Sequence, residues 1–137
     1  MQRRVDELLS DPKTRGAGQL LAARKHAALG EPSAAMAHAR MAANHLPDLG
    51  VVWRVVGEVA AQSELWSKAA EAYGKALKLG LKAQAGTLER LADALDELGE
   101  YTQAERTIRD AITKTGADPH AKRRRLNLLG VILKHQG

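Results

Sequence analysis

Histidines and carboxylates are the side chains here with the most chemical capacity. His38 and His45 stand seven residues apart, so on a helix they share a face. A metal site needs further ligands at matching spacing, and no carboxylate or third histidine supplies one. They read as surface imidazoles, while His26 reads as a core or interface residue. Glu89, Asp93, Asp96 and Glu97 follow at intervals of four, three and one, which lays them along one broad helical stripe. Arg90 is the only cation close to them in sequence, and it projects from another side of the helix. Carboxylates left uncompensated in a groove would focus a negative potential and attract a basic or mixed-charge segment. The stretch "GAGQLLAARK", residues 16–25, places glycines before a helix but lacks the strand and the spacing of a phosphate loop. There is no cysteine, so thiolate ligands, disulfides and thiol nucleophiles are excluded. With no nucleophile–base pairing and no cofactor motif, catalytic residues, metals and cofactors are not expected, and the chain does not read as an enzyme.

The net charge of +5 is unevenly spread. Residues 1–83 carry twelve Lys/Arg against eight Asp/Glu, residues 84–118 four against eight, and residues 119–137 five against none. An acidic segment thus lies between basic ones, which speaks to partners rather than to fold. "HAKRRR", residues 120–125, could supply electrostatic affinity for phosphates. Stacking readers need aromatics beside the charges, and none is near. Nucleic acid is therefore not the expected partner; these arginines are expected to solvate a helix start or bind acidic neighbours. No apolar run is long enough to span a membrane, and the charged start "MQRRVDELLSD" is not a signal peptide. A cytoplasmic location is the corresponding expectation.

Helices must position all of these groups. Alanine is abundant, and apolar residues recur at spacings of three and four. Breakers punctuate the pattern: Asp11-Pro12, Gly30-Glu31-Pro32, Pro47-Asp48, Gly80, Gly99 and Gly116 to Pro119. The reading is about eight helices, near 2–10, 17–29, 33–45, 50–62, 66–79, 84–98, 101–115 and 119–136, joined by short turns into antiparallel hairpins. The hairpins repeat, since Ala35, Ala69 and Ala104 are 34 and 35 residues apart. Five residues before each lies Gly30, Glu64 or Gly99. Trp53-x-x-Val56-Gly57-x-x-Ala60 is answered 35 residues later by Leu88-x-x-Leu91-Ala92-x-x-Leu95. Where two helices cross closely, one must be small where the other is large. Gly57 and Ala69 are expected as the small partners, with Trp53, Trp66 and Tyr73 filling the space around them.

This pattern resembles the tetratricopeptide repeat, whose signature is W-x2-L-G-x2-Y followed by A-x3-F-x2-A. Residues 50–84 match best, through Trp53, Val56, Gly57, Ala60, Ala69, Tyr73 and Ala76. Residues 85–118 follow with Leu88, Leu91, Ala92, Leu95, Ala104, Ile108 and Ala111. Residues 16–49 form a degenerate repeat, with Gln19, Ala22, Ala23 and His26 in its first helix. Residues 1–15 look like the end of a preceding repeat, with Val5 and Leu8 in apolar slots. Residues 119–137 look like the first helix of an unfinished one, so the chain is expected to be part of a longer repeat protein.

The resemblance implies an all-α solenoid of antiparallel helix pairs wound into a right-handed superhelix, acting without catalysis as a protein-interaction module. It also implies a concave groove lined by first helices. That lining comprises Leu20, Arg24 and Ala28, then Arg54, Glu58 and Gln62, then Glu89, Asp93, Asp96 and Glu97, then Asn127, Val131, Lys134 and His135. The expected partner is a protein or peptide segment. The alternative is a structural spacer or self-assembly segment of a larger scaffold. Leu126, Leu129, Ile132 and Leu133 are expected to leave an apolar face open for a second copy, giving a homo-oligomer.

Overall fold

The structure, a computed structural model, describes residues 5–7, 9, 11, 14–81 and 84–137. Among these there are helices and turns and no strand. Residues 5–7 and 9 are helical; Leu8, expected in an apolar slot, lies outside the described residues. Seven helices follow: α1 (Arg15–Ala28), α2 (Pro32–His45), α3 (Gly50–Gln62), α4 (Trp66–Leu79), α5 (Gln84–Glu97), α6 (Tyr101–Thr113) and α7 (Pro119–Gln136). No described helix is long and apolar enough to cross a membrane.

The helices pack in sequence order. α1 pairs with α2, α3 with α4 and α5 with α6, and each pair's second helix packs on the first helix of the next. Across repeats, α1 also touches α3, and α5 touches α7. This nearest-neighbour stacking is a solenoid. Three pairs close through one turn design. The amides of Gly30, Glu64 and Gly99 bond the carbonyl three residues back, and the next amide in each turn bonds the carbonyl five back at 2.9 Å. The design needs a left-handed residue, which glycine adopts freely. Gly30 has φ 74° and Gly99 φ 80°, while Glu64 holds φ 58° at the matching place.

Apolar packing is layered along the stack. Ala35, Ala69 and Ala104 are each completely inaccessible at their crossings. A Cβ on Gly57 would sit 2.6 Å from Cδ1 and Cε1 of Tyr73, so this position of α3 must lack a side chain. Tyr73 itself is buried, and burial pushes its hydroxyl pKa up to about 12. Trp66 packs on the cluster of Ala60, Ala69, Tyr73 and Ala94, as expected. Trp53 does something different. It packs on Ala42, Ala43 and Val52 and donates from Nε1 to the Pro47 carbonyl at 2.7 Å, with the Lys75 ammonium 4.0 Å over its ring. Standing one turn before Gly57 and leaning toward the helix start, it seals the junction with α2 rather than filling the Gly57 crossing.

The first pair is held partly by polar groups, which is why its motif is degenerate. Gln19 is buried and its Oε1 meets His38 Nδ1 at 2.5 Å. The His38 and His26 rings stack with centroids 5.1 Å apart and planes 3° from parallel. Burial, then the neighbouring His26, lowers the His38 pKa. His38 is therefore a half-buried packing residue, unlike the exposed His45, and the expectation of two surface imidazoles is corrected for it.

Candidate functional site

First helices stand side by side along one flank of the stack, and two adjoining cavities open between them. The larger, about 880 Å3, lies between α3, α5 and the turn from α6 into α7. The second, about 640 Å3, lies between α5 and α7 and shares Gly86 and Arg90 with the first. Together they form a groove whose walls come from α3, α5, α7 and the α6–α7 turn.

Two carboxylates organise these walls, each between two guanidinium groups. Glu58 Oε1 stands 3.6 Å from Arg54 Nε, one helical turn away, and 3.9 Å from Arg90 Nε on the next first helix. Glu89 takes Arg124 Nε at 2.9 and 3.1 Å on its two oxygens, and Arg125 Nε at 2.8 Å. Arg125 is buried and also donates from Nη1 to Thr115 Oγ1 at 2.8 Å. Burial pushes the Glu89 carboxyl up, but the hydrogen bonds from Arg124 and Arg125 outweigh it and hold the pKa below its ordinary value. Asp118 caps α7, accepting from the amides of His120 and Ala121.

The acidic end lies further along α5. Asp93 lines the second cavity with its side chain open to solvent. Partial burial among the surrounding walls, reinforced by the carboxylates of Glu97, Asp96 and Glu89, raises its pKa. Glu97 is exposed. Asp96 is buried and bonds His135 Nδ1 at 2.8 Å. The four acids are thus not one uncompensated stripe. Glu89 and Asp96 are committed to α7, leaving Asp93 and Glu97 facing solvent.

The structure brings Arg54, Glu58, Glu89 and Asp93 into the two cavities. Gln62 donates to the Ala27 carbonyl at 2.9 Å and ties α3 to α1. Leu20 packs into the core beside Ala23 and Ala42 instead of lining a groove. Arg24, Asn127 and Lys134 are exposed. Ile132 is completely buried against Leu88, Ala104 and Ile108, so it cannot belong to an open face. Leu129 also packs on that cluster, while Leu126 and Leu133 stay exposed at 45% and 41%. The sequence reading missed Thr87, Lys114 and Thr115 in the first cavity; it expected the arginines of 120–125 to solvate a helix start or bind acidic neighbours, and Arg124 and Arg125 do bind one, Glu89, which it did not name. A signal existed: Glu89 and Arg124 are 35 residues apart, as are Ala27 and Gln62, one repeat length in each case.

No family model and no curated protein matches the sequence. Solved structures do match. MamA has 14% identity and a TM-score of 0.76, over 98% of this chain and 85% of that one. A chain of the CopN-Scc3 complex has 15% identity and a TM-score of 0.74, over 85% of this chain and 68% of that one. The N-terminal domain of stress-induced protein-1 (STI-1) from C. elegans has 13% identity and a TM-score of 0.70, over 82% of this chain and 93% of that one. All three are tetratricopeptide-type helical-repeat proteins. At such identities the likeness speaks to architecture. The chain therefore has the tetratricopeptide-repeat fold, an all-α solenoid of antiparallel helix pairs in a right-handed superhelix.

Proposed function

We propose that the chain is a non-catalytic protein-interaction module that seats a mixed-charge segment of a partner protein in the groove between its first helices. The observation that carries this reading is the division of charge along the groove. Two arginine pairs each share a single carboxylate, whereas Asp93, beside Arg90 and Arg124 in the second cavity, has no such partner, and Glu97 lies exposed one turn further along α5. Groups of opposite sign at fixed places along a cleft favour a segment with the matching order of charges and oppose its reverse. The fold supports the reading, because one similar structure is itself a complex of two proteins. Nucleic acid fits less well, since Arg124 and Arg125 are already engaged by Glu89.

The test is a panel of peptides of equal composition and different charge order, measured by fluorescence anisotropy. One order should bind at least tenfold more tightly, about 1.4 kcal/mol. Asp93→Lys with Glu97→Lys should abolish the preference without changing helical content, and added salt should mimic it. The buried Asp96 is a poor choice for such a test, because its loss would loosen α7. Binding that survives both the double reversal and about 0.5 M salt places the partner elsewhere.

A second reading, self-assembly, rests on Leu126, Val131 and Leu133, which expose 45%, 45% and 41% of their surface on α7. It predicts a mass that rises with concentration in light scattering and falls back in Leu126→Glu with Leu133→Glu. A constant monomer mass removes it.

A further inference from the structure

The flank opposite the groove is built differently. No two second helices pack together, yet α3 packs beneath both α2 and α4, and α5 beneath both α4 and α6. A furrow is left between neighbouring second helices, floored by the first helix below. One furrow, about 220 Å3, has Met36 and Arg40 of α2 on one wall, Lys68 and Lys75 of α4 on the other, and Trp53 and Val56 of α3 beneath. The next, about 490 Å3, lies between α4 and α6 over Leu91 and Leu95 of α5. Val56 and Leu91 are 35 residues apart, as are Lys68 and Gln103, and Glu71 and Arg106. The furrows are therefore one place in successive repeats, and they meet at Glu71, which lines both.

Floor and rim differ in chemistry. Met36, Trp53, Val56, Leu91 and Leu95 are only partly buried, so each still offers apolar surface to an incoming side chain. The rim is cationic. α2 contains no Asp or Glu, and α4 sets Lys68, Lys75 and Lys78 against one carboxylate, Glu71. α6 matches Glu105 with Arg109 and Asp110 with Lys114, which leaves Arg106 over the second furrow. Glu31, at the head of α2, turns to His26 at 3.1 Å. Among the described residues, Arg40, Lys68, Lys75 and Arg106 have no carboxylate within 4.0 Å. Lys75 lies 4.0 Å over the Trp53 ring instead of pairing with Glu71, which keeps its charge unneutralised beside the apolar floor. Unpaired cations along an apolar furrow complement carboxylates set among apolar side chains.

We propose that the α2–α4–α6 flank is a second docking surface, for an acidic segment of a partner protein. Its apolar side chains enter the two furrows, and its carboxylates pair with Arg40, Lys68, Lys75 and Arg106. The proposal goes beyond the groove reading and does not depend on it. A mixed-charge segment sets its own cations against this rim, so each surface selects a different ligand.

The probes are three blocked peptides: one of glutamates interrupted by two leucines, one with glutamines in place of the glutamates, and one with serines in place of the leucines. In NMR the first should shift the Trp53 indole signal and the amides of Val56, Ala72 and Leu91, and leave Thr87 and Asp93 still. The other two should bind about tenfold more weakly or worse. Arg40→Glu with Lys68→Glu changes two exposed residues and should cost about tenfold in affinity for the first peptide, with helical content unchanged. Salt at about 0.5 M should act in the same direction. Equal binding of the glutamine peptide would reduce the surface to apolar adhesion, and equal binding of the serine peptide to bare charge; either overturns the proposal. So does unchanged affinity in the double variant, or the absence of shifts with every peptide. Shifts at Thr87 and Asp93 with a silent Trp53 would move the acidic segment to the groove. Vesicles of phosphatidylcholine and phosphatidylserine bound through Arg40 and Lys68, with no peptide bound, would give the flank to a membrane surface and sink the proposal. None of these outcomes touches the groove reading, which Asp93→Lys with Glu97→Lys tests on the mixed-charge segment.

Discussion

The α3–α4 crossing and the α5–α7 seam join neighbouring helices by opposite means. At the crossing, the bare backbone of Gly57 admits the Tyr73 ring, and Ala60 and Ala69 complete a dry contact. At the seam, Ile132 is the one large apolar side chain of α7 that is fully buried, and charged groups do much of the rest. Glu89 binds Arg124 and Arg125, and Asp96 binds His135. The first contact fixes geometry mainly through shape. The second depends on the protonation of its carboxylates and borders the groove.

Tyr73→Ala should give the largest loss. Removing a fully buried ring beside a glycine leaves a void that α3 cannot fill, costing about 4 kcal/mol. The loss should be nearly the same at low and high salt in chemical denaturation. A strongly salt-dependent loss would erase the contrast between the two contacts.

Glu89→Gln comes next, at about 3 kcal/mol, because it strands the buried Arg125 guanidinium without its charge partner. Its pH signature follows from the pKa direction. The folded-state Glu89 pKa is depressed, so its contribution is present above the ordinary carboxylate range and is lost as pH falls through the folded value. Asp93, raised in the fold, works the other way: it favours the fold at low pH and loses that contribution as pH rises through its folded value. Hydrogen-exchange protection factors in α7, corrected for the intrinsic rate at each pH, should therefore fall on acidification in the parent and show little of this change in Glu89→Gln. Equal acid sensitivity in both would assign the seam to packing alone.

Ala104→Leu extends the comparison to the α5–α6 pair. A completely inaccessible alanine among Leu88, Ala92 and Ile108 has no room for three more carbons. The expected cost is about 2 kcal/mol from overpacking. An unchanged melting temperature would mean that this crossing is looser than the Gly57 one.

The smallest effect has the opposite sign. Glu64 holds a left-handed backbone where the equivalent turns use Gly30 and Gly99. Glu64→Gly should stabilise the chain by about 1 kcal/mol by removing that strain, less the entropy that glycine adds to the unfolded chain. Destabilisation would show that the Glu64 side chain matters more than its backbone.

These contacts differ in how plainly the sequence announces them. Ala69 recurs as Ala35 and Ala104, Gly57 and Tyr73 are answered 35 residues on by Ala92 and Ile108, and small-beside-large is a steric rule that reads directly from residue type. The helix bounds were legible for the same reason, since α3 and α4 begin and end where the breakers and apolar periodicity place them. The groove was legible in part. Its first-helix lining follows from the repeat, and Arg54, Glu58 and Asp93 do face cavities. The pairing of charges was legible only through the repeat length, because Glu89 and Arg124 or Asp96 and His135 meet only when successive first helices are superposed. Read along one helix, Glu89 and Asp96 look uncompensated. Thr87 gave no signal either, since a threonine inside a helix reads as filler until its surroundings are known.

The central claim is that the groove between first helices, and not the opposite flank, receives the mixed-charge segment. The flank of α2 and α4 offers its own crevice, about 220 Å3, walled by Trp53, Arg40, Lys68 and Lys75. An NMR titration with the tightest mixed-charge peptide of the panel decides between the two surfaces. The account predicts shifts at Arg54, Thr87, Arg90, Asp93 and Arg124, with the Trp53 indole signal unmoved. Shifts centred on Trp53 and Lys75, with a silent α5, would contradict it.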